Sequence, residues 1–233
     1  MMNPRTLAVC AFGIVLSAHG LHGQSASQYR NFALKSNLAS VSTLSGVAAS
    51  EAKVVHQRPA VLKDLEWRPS RWVSGTTSAS TDPVEQILFS FYNDQLFRVV
   101  VDYGHERTEG MTNADMISAI STEYGTPLKK APVTALRSTL SRVEIESGSQ
   151  IAKWGDAGHT VVLYRSSSYR EAFRLIVSEP VLDDLARKAT VQSVRLDDQE
   201  APSRELARQK KERDEALANA EKARVANKGG FRP

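Results

Sequence analysis

Residues 96–101 of this 233-residue chain read LFRVVV, and residues 172–177 read AFRLIV. Each segment has a phenylalanine and an arginine followed by branched apolar residues, a composition typical of β-strands. The offset between them is 76 residues (96 to 172). The same offset relates residues 37–45, NLASVSTLS, to residues 113–121, NADMISAIS, which share an asparagine, two serines and the apolar spacing of a helix. Two unrelated patterns at one offset predict a tandem duplication in the body of the chain.

The first copy also contains the clearest local signal, a β-hairpin. Residues 85–92 and 95–103 are rich in β-branched and aromatic residues, and Asn93-Asp94 between them is a natural two-residue turn. The turn predicts the cross-strand pairs Phe91–Leu96, Phe89–Arg98 and Ile87–Val100. It therefore places Ile87, Phe89, Phe91, Leu96, Arg98 and Val100 on one face, and Leu88, Tyr92, Phe97, Val99 and Val101 on the other. Because both faces are apolar, we expect the second face to be covered by the other copy, by a C-terminal helix or by a partner.

The predicted fold is α+β, a tandem repeat of a helix followed by an antiparallel β-meander, with a long charged C-terminal helix. Repeat one covers residues 24–104, of which residues 24–36 are expected to be a poorly ordered lead-in, and repeat two covers residues 105–192. Residues 193–233 form a linker and a basic helical tail. Pro202 is expected to break the chain, so that Ser203 caps a helix running to about Asn227.

Residues 1–23 have the features of a secretory signal peptide. Arg5 provides the positive charge, residues 7–18 form a short apolar stretch, and small residues follow up to the expected cleavage near Gly20–Gly23. The mature protein is then periplasmic or secreted, and no later segment is apolar enough to be a transmembrane segment. The only cysteine, Cys10, leaves lipidation open as an alternative, although little apolar sequence precedes it.

The charge of the chain argues against a nucleic-acid binder. The formal net charge is +4, and residues 203–233 alone contain nine Lys/Arg and five Asp/Glu, so the remaining chain is balanced. A nucleic-acid binder would need a clustered basic face with interleaved aromatic residues. No spacing typical of a zinc, calcium or phosphate-binding motif is present, so neither a metal nor a cofactor is expected.

A short helix that begins at an asparagine or threonine cap, ends at a glycine and precedes three antiparallel strands resembles the unit of the β-lactamase-inhibitory-protein fold. The SmpA/OmlA outer-membrane-assembly lipoproteins have a related unit. The residues that carry the resemblance are Glu109-Gly110-Met111-Thr112, Asp115 and Tyr124-Gly125-Thr126-Pro127, with Leu34, Val41, Leu44 and Gly46 in the first copy, which lacks the Gly-Met pair. The resemblance implies an exported protein that binds other proteins, and it carries no catalytic residue.

The candidate binding residues are rings and arginines within apolar strands, together with one unmatched tryptophan. They are Trp72, Phe89, Phe91, Arg98, Tyr164 and Arg174. Arg98 and Arg174 occupy matching positions, where each can stack on a ring, pair with a carboxylate or anchor a partner. Trp67 and Trp154 precede the two hairpins at corresponding places and are expected in the core, whereas Trp72 has no counterpart.

These patterns predict a non-enzymatic protein-binding module of the bacterial cell envelope, which contacts another envelope protein through a sheet face and Trp72. The alternative is a small-molecule or glycan-binding protein that uses a groove between the two copies, lined by Arg98, Arg174 and the tryptophans. A large concave pocket would favour the alternative, and a flat apolar patch rimmed by charge would favour the first. An enzyme is not expected, because the nearest acid/base cluster is only His105-Glu106 with Asp102.

Overall fold

A seven-stranded antiparallel sheet runs through the molecule, in a computed structural model that describes residues 25–69, 82–128, 147–166 and 172–230. The strands are β1 (Gln28–Tyr29), β2 (Phe32–Ala33), β3 (Lys53–His56), β4 (Leu62–Trp67), β5 (Val84–Tyr92), β6 (Gln95–Tyr103), β7 (Ser149–Gly155), β8 (Thr160–Arg165) and β9 (Phe173–Ser178). The helices are α1 (Leu38–Ser45), α2 (His105–Thr108), α3 (Asn113–Tyr124) and α4 (Pro180–Lys228), with a 3₁₀ turn at Ala49–Glu51. The α+β class is confirmed.

The strand order of the large sheet is β3-β4-β5-β6-β9-β8-β7, and β1 and β2 form a separate two-stranded sheet. The hairpins β5–β6 and β8–β9 therefore lie side by side, and β6 pairs with β9 at the centre. The strands of both predicted repeats thus belong to one continuous sheet.

The predicted turn at Asn93-Asp94 is confirmed, but the predicted register of its hairpin is only partly right. Asn93 and Asp94 have φ values of 46° and 67°, as a tight hairpin turn requires. Phe91 pairs with Leu96 as expected, after which Ser90 pairs with Arg98. One residue of β6 is therefore left over in a β-bulge, which moves every later pair by one place.

The bulge corrects the predicted faces of the hairpin. Phe89 pairs with Val99 instead of Arg98, and Ile87 pairs with Val101 instead of Val100. Phe89, Val99 and Val101 belong to the main core, on the side that we call the front face. Arg98 and Val100 lie on the opposite side, the back face, because side chains alternate along a strand.

The front face of the sheet is covered by α1, α3 and the N-terminal segment, residues 25–36. Leu38 and Val41 of α1 and Met116 and Ile120 of α3 are buried in the main core. The segment contributes three further core residues, Tyr29, Phe32 and Leu34. Its backbone bonds directly to the sheet, from Lys35 N to Leu96 O at 2.7 Å and from Leu96 N to Ser36 O at 2.8 Å. The expectation of a poorly ordered lead-in is wrong, because its apolar residues complete the core.

The caps of the two short helices agree with the sequence analysis. Asn37 precedes α1 and accepts a hydrogen bond from Ser40 N at 2.9 Å. Thr112 precedes α3 and forms a reciprocal capping box with Asp115. The caps are 75 residues apart (37 to 112), one fewer than the offset between the matched strands.

Helix α4 is one continuous element of 49 residues, so the predicted break at Pro202 is wrong. A proline inside a helix loses one backbone hydrogen bond and costs about 3 kcal/mol. Charged residues on both sides favour the helix, and the Ser203 hydroxyl donates to the Glu200 carbonyl instead of capping a new helix. No helix in the described ranges is both long and apolar enough to cross a membrane.

The start of α4 packs across the back face. Ala186 packs with Leu62 and Phe97, so the C-terminal helix covers part of the second apolar face. Further along α4, Ser193 Oγ and His56 Nδ1 lie 2.9 Å apart, and Ser193 is buried. This contact attaches the helix to strand β3. Because the Ser193 hydroxyl is buried, we assign it a structural role. Residues 206–228, by contrast, are exposed on every side.

Candidate functional site

The predicted aromatic site residues of the hairpin lie inside the core. Phe89 is fully buried and Phe91 is 1% exposed, and Phe32 packs against Phe89 with ring centroids 4.6 Å apart and ring planes tilted by 51°. Neither ring has surface available to a partner, so their role is in packing. Trp72 lies outside the described residues.

Arg98 holds helix α4 on the back face. It is 7% exposed, donates a hydrogen bond to Asp183 of α4, and has its guanidinium 5.4 Å from the centroid of the Phe97 ring. The predicted cross-strand neighbour of Arg98 was Phe89, but the bulge places that ring on the other face. Of the three roles considered for Arg98, which were stacking on a ring, pairing with a carboxylate and anchoring a partner, the structure shows pairing with a carboxylate of the same chain.

A row of polar residues crosses six strands at the level of Arg98. In order across the sheet it consists of Lys53, Asp64, Ser90, Arg98, Ser178 and Thr160. The Ser90 hydroxyl donates to Asp64 at 2.7 Å. Burial raises the pKa of Asp64 above its usual range, while this hydrogen bond and the charge of Arg98 partly offset that effect.

Arg174 forms a bidentate ion pair with Asp102 on the neighbouring strand. The distances are 2.5 Å from Nε to Oδ1 and 3.0 Å from Nη2 to Oδ2. Tyr164 lies opposite Arg174 on β8 and is 5% exposed. Asp102, which was part of the weak acid/base cluster, is therefore held by an arginine through both oxygens.

The predicted tryptophan positions differ in their environments. Trp154 is fully buried and donates from Nε1 to the Gly125 carbonyl at 3.0 Å, which connects β7 to the end of α3. Trp67 is half-buried at the edge of the main core, 6.4 Å from the Phe32 ring between centroids. Both have the packing role expected from the sequence.

A large concave site among the described residues was not predicted from the sequence. It is a pocket of about 790 Å³ between the N-terminal segment, the end of β6, and helices α2 and α3. Three phenol rings line this tyrosine pocket, those of Tyr29, Tyr103 and Tyr124. Its apolar wall contains Met111, Met116, Ile120 and Leu175, and its charged lining residues are Arg30, Arg107 and Glu123.

Specific contacts hold the walls of the tyrosine pocket in place. The Tyr124 hydroxyl donates to the Gln28 carbonyl at 3.0 Å, which connects α3 to the N-terminal segment. Arg30, with a φ of 52°, forms two hydrogen bonds of 2.8 Å with the Asp82 carboxylate. The pocket is consequently bounded by secondary structure and by cross-links between segments distant in the sequence.

The three phenols are uncharged at neutral pH. Burial is the largest cause that raises the pKa of Tyr29 and Tyr124, and it raises the pKa of Tyr103 well above the ordinary value near 10. Each hydroxyl therefore keeps its proton. The hydroxyls of Tyr29 and Tyr103 are hydrogen-bonded to each other, and that of Tyr124 donates to the Gln28 carbonyl.

The sequence contains no pattern that predicts this pocket. Its tyrosines are spread from residue 29 to residue 124, in a segment, a strand and a helix that share no motif. Met111 lies in the sequence that resembles the β-lactamase-inhibitory-protein unit, but that resemblance does not indicate a pocket. Within the described ranges, no group of three or more His, Cys, Asp or Glu side chains is placed to hold a metal ion.

Comparisons of this chain with protein families, with characterised proteins and with solved structures found no match. The resemblance to the β-lactamase-inhibitory-protein fold therefore stays a prediction.

Proposed function

We propose that this protein is an exported, non-enzymatic binding protein that takes a small, largely apolar molecule into the tyrosine pocket. The observation that supports this most is the pocket itself, a concavity of about 790 Å³ with an apolar wall and three protonated phenols. Ligand sites in proteins have volumes of roughly 300–1,000 Å³ and combine apolar walls with a few polar groups. A large concave pocket favours the small-molecule alternative over a flat protein-binding face, although this pocket is not the predicted groove, because neither Arg98 nor Arg174 lines it.

The lining of the pocket is suited to binding without chemistry. Met111 and Met116 have flexible, polarisable side chains that adapt to the shape of a ligand. The tyrosines offer ring surface for contact and hydroxyls for orientation. Their raised pKa values make them poor bases at neutral pH, which is consistent with recognition rather than proton abstraction.

The proposed location, periplasmic or secreted, rests on the signal-like residues 1–23. With Cys10 removed in that leader, the mature chain has no cysteine and needs no particular redox environment. A pocket that opens to solvent would then be exposed to small molecules outside the cytoplasm.

We further infer that the body arose by tandem duplication, which the sheet register supports. Starting from β4, a row of paired residues on the front face runs Trp67, Ile87, Val101, Leu175, Leu163, Ala152. From the opposite edge, the neighbouring row runs Trp154, Val161, Val177, Val99, Phe89, Leu65. Tryptophan matches tryptophan, and the two central pairs contain the residues related by the 76-residue offset.

A second candidate function, binding of another envelope protein, is favoured by the end of α4. Residues 201–228, which we call the arm, extend about 42 Å at 1.5 Å per residue. Its large apolar side chains, Leu206, Leu217 and Val225, are 62–67% exposed. Because the start of α4 already packs on the back face, the arm is a better candidate partner surface than the sheet. Chemical cross-linking in envelope extract, with the full chain and with a chain ending at Pro202, tests this: a partner held by the arm is captured only by the full chain.

The small-molecule proposal is tested by filling the pocket. Ala119 lines the tyrosine pocket on α3, and Ala114 is exposed on the same helix outside it. We expect the neutral dye N-phenyl-naphthylamine to bind saturably to the wild type and to Ala114→Trp, and at least about tenfold more weakly to Ala119→Trp. Equal dye affinity in all three folded proteins would overturn the proposal.

A further inference from the structure

The charges around the tyrosine pocket cancel. Arg30 and Arg107 line it with Glu123, and Asp82 lies directly behind Arg30 in a doubly hydrogen-bonded ion pair. The Arg30 guanidinium holds the pKa of Asp82 below its usual range, so the pair stays ionised and internally neutral at pH 7. These four groups, two cations and two anions, together carry no net charge.

The deep wall of the pocket disfavours a charged ligand. Met116, Ile120 and Leu175 are almost fully buried and present only apolar atoms. An ion placed against them would lose hydration without gaining a compensating partner, which is costly. A neutral ring loses little and gains the apolar contact.

The uncharged polar lining residues include three phenols, together with Gln28, Asn31 and Thr108. The Tyr124 hydroxyl already donates to the Gln28 carbonyl, so its oxygen is left as an acceptor. Tyr29 and Tyr103 are protonated and hydrogen-bonded to each other, so at most one of their two hydroxyl protons is left for a ligand. A ligand that carries one hydroxyl or carbonyl group can satisfy such groups, and the three rings and two thioethers favour contact with an aromatic face or edge.

We propose that the tyrosine pocket selects neutral aromatic molecules bearing a hydroxyl or carbonyl group and discriminates against anions of the same shape. This inference rests on the proposed function and adds to it the chemical class of the ligand. The apolar deep wall supplies most of the affinity and disfavours an ion, and the balanced rim, with Glu123 at its edge, offers an anion no net attraction.

Two probes of one shape test the selectivity, naphthol and naphthalenesulfonate, titrated into the full chain by calorimetry at pH 7. We expect naphthol to bind at least about tenfold more tightly, and Ala119→Trp to weaken it while Ala114→Trp does not. Naphthalenesulfonate binding as tightly as naphthol, with both weakened by Ala119→Trp, overturns the selectivity and leaves the pocket as the ligand site. If neither probe binds in a manner sensitive to Ala119→Trp, both the selectivity and the proposed function are wrong.

A charge-removing variant sharpens the test. Glu123→Gln takes one negative charge from the pocket edge, whereas Glu109→Gln takes one from an exposed position that does not line the pocket. We expect Glu123→Gln to narrow the difference between the two probes by about threefold at low salt, and Glu109→Gln to leave it unchanged. Equal effects of the two variants would show that only overall charge matters, which contradicts the inference.

Discussion

Val100 and Ile176, which stand at matching places in the two related strand sequences, pair directly with each other where β6 meets β9. Two residues on, Asp102 lies opposite Arg174, and in the reciprocal position Ser178 lies opposite Arg98. Arg174 thus finds its carboxylate on the neighbouring strand. Arg98 faces a serine there, and its ion pair is made instead with Asp183 of α4. This asymmetry gives α4 its anchor on one half of the sheet.

The two arginines should therefore differ in their effect on stability. The side chains of Arg98 and Asp183 are largely buried, at 9% and 19% exposure, whereas those of Arg174 and Asp102 are both at 29%. Removing one member of a buried pair costs about 3–5 kcal/mol, and an exposed pair contributes about 1 kcal/mol or less. We expect Arg98→Ala to lower the free energy of unfolding by about 3 kcal/mol and Arg174→Ala by about 1 kcal/mol, measured by urea denaturation. A larger loss for Arg174→Ala would contradict the proposed anchoring role.

Trp154 should contribute more to stability than Trp67. Trp154→Phe leaves a cavity in the main core and removes the donor to the Gly125 carbonyl, at a combined cost of about 2–3 kcal/mol. Trp67→Phe acts at a half-buried site and should cost about 1 kcal/mol or less. Denaturant unfolding of both variants checks this, and similar losses would show that the two positions are equally buried.

Asp64 should destabilise the protein as it ionises. Because burial raises the pKa of Asp64 in the folded state, its stabilising contribution is fully present below the unfolded pKa near 3.8 and is lost as pH rises through the folded value. Asp64→Asn cannot ionise and still offers Ser90 an acceptor, so this variant should lose less stability than the wild type between pH 4 and pH 7.

Asp115 provides a control for that experiment, because its pKa is shifted in the opposite direction to that of Asp64 and its effect on stability should have the opposite pH dependence. Hydrogen bonds from Thr112 lower the pKa of Asp115, so its contribution is present above its unfolded pKa and is lost as pH falls through the folded value. Asp115→Asn should therefore be less stable than the wild type at pH 7, with the difference shrinking in acid. The same pH trend in both variants would contradict the assigned environments.

The arm should contribute nothing to the stability of the body. Residues 206–228 are exposed, and the ion pairs of Arg208 with Glu205 and of Arg224 with Glu221 lie within the helix itself. A chain ending at Pro202 should keep its free energy of unfolding to within about 0.5 kcal/mol. A drop of several kcal/mol would mean that the arm packs on the body.

Local patterns were predictable from the sequence where one short-range rule decides the structure. Asn93-Asp94 makes a tight turn whatever surrounds it, and Thr112 and Gly125 bound α3 as their side-chain and backbone properties require. The α+β class followed from such signals. The bulge at Phe97 could not be predicted, because nothing in a run of apolar residues indicates which one is left unpaired. The bulge moves Arg98 to the other face of the sheet.

Features that depend on tertiary packing could not be predicted from the sequence. The N-terminal segment looks polar and irregular, yet Tyr29, Phe32 and Leu34 fit a gap that exists only after the sheet has formed. Pro202 looks like a stop, yet the flanking helix tolerates it. The tyrosine pocket needs three phenols from distant segments to converge, and neither spacing nor composition signals that convergence.

The central claim is that the tyrosine pocket binds a neutral aromatic ligand, and the methionine methyl groups of the pocket allow this binding to be observed by NMR. The chain has four methionines, Met1, Met2, Met111 and Met116, and the last two both line the pocket. Naphthol titrated into protein carrying ¹³C-methyl methionine should move the Met111 and Met116 methyl resonances together along one saturation curve. Binding of naphthol by calorimetry while both resonances stay in place would contradict the account.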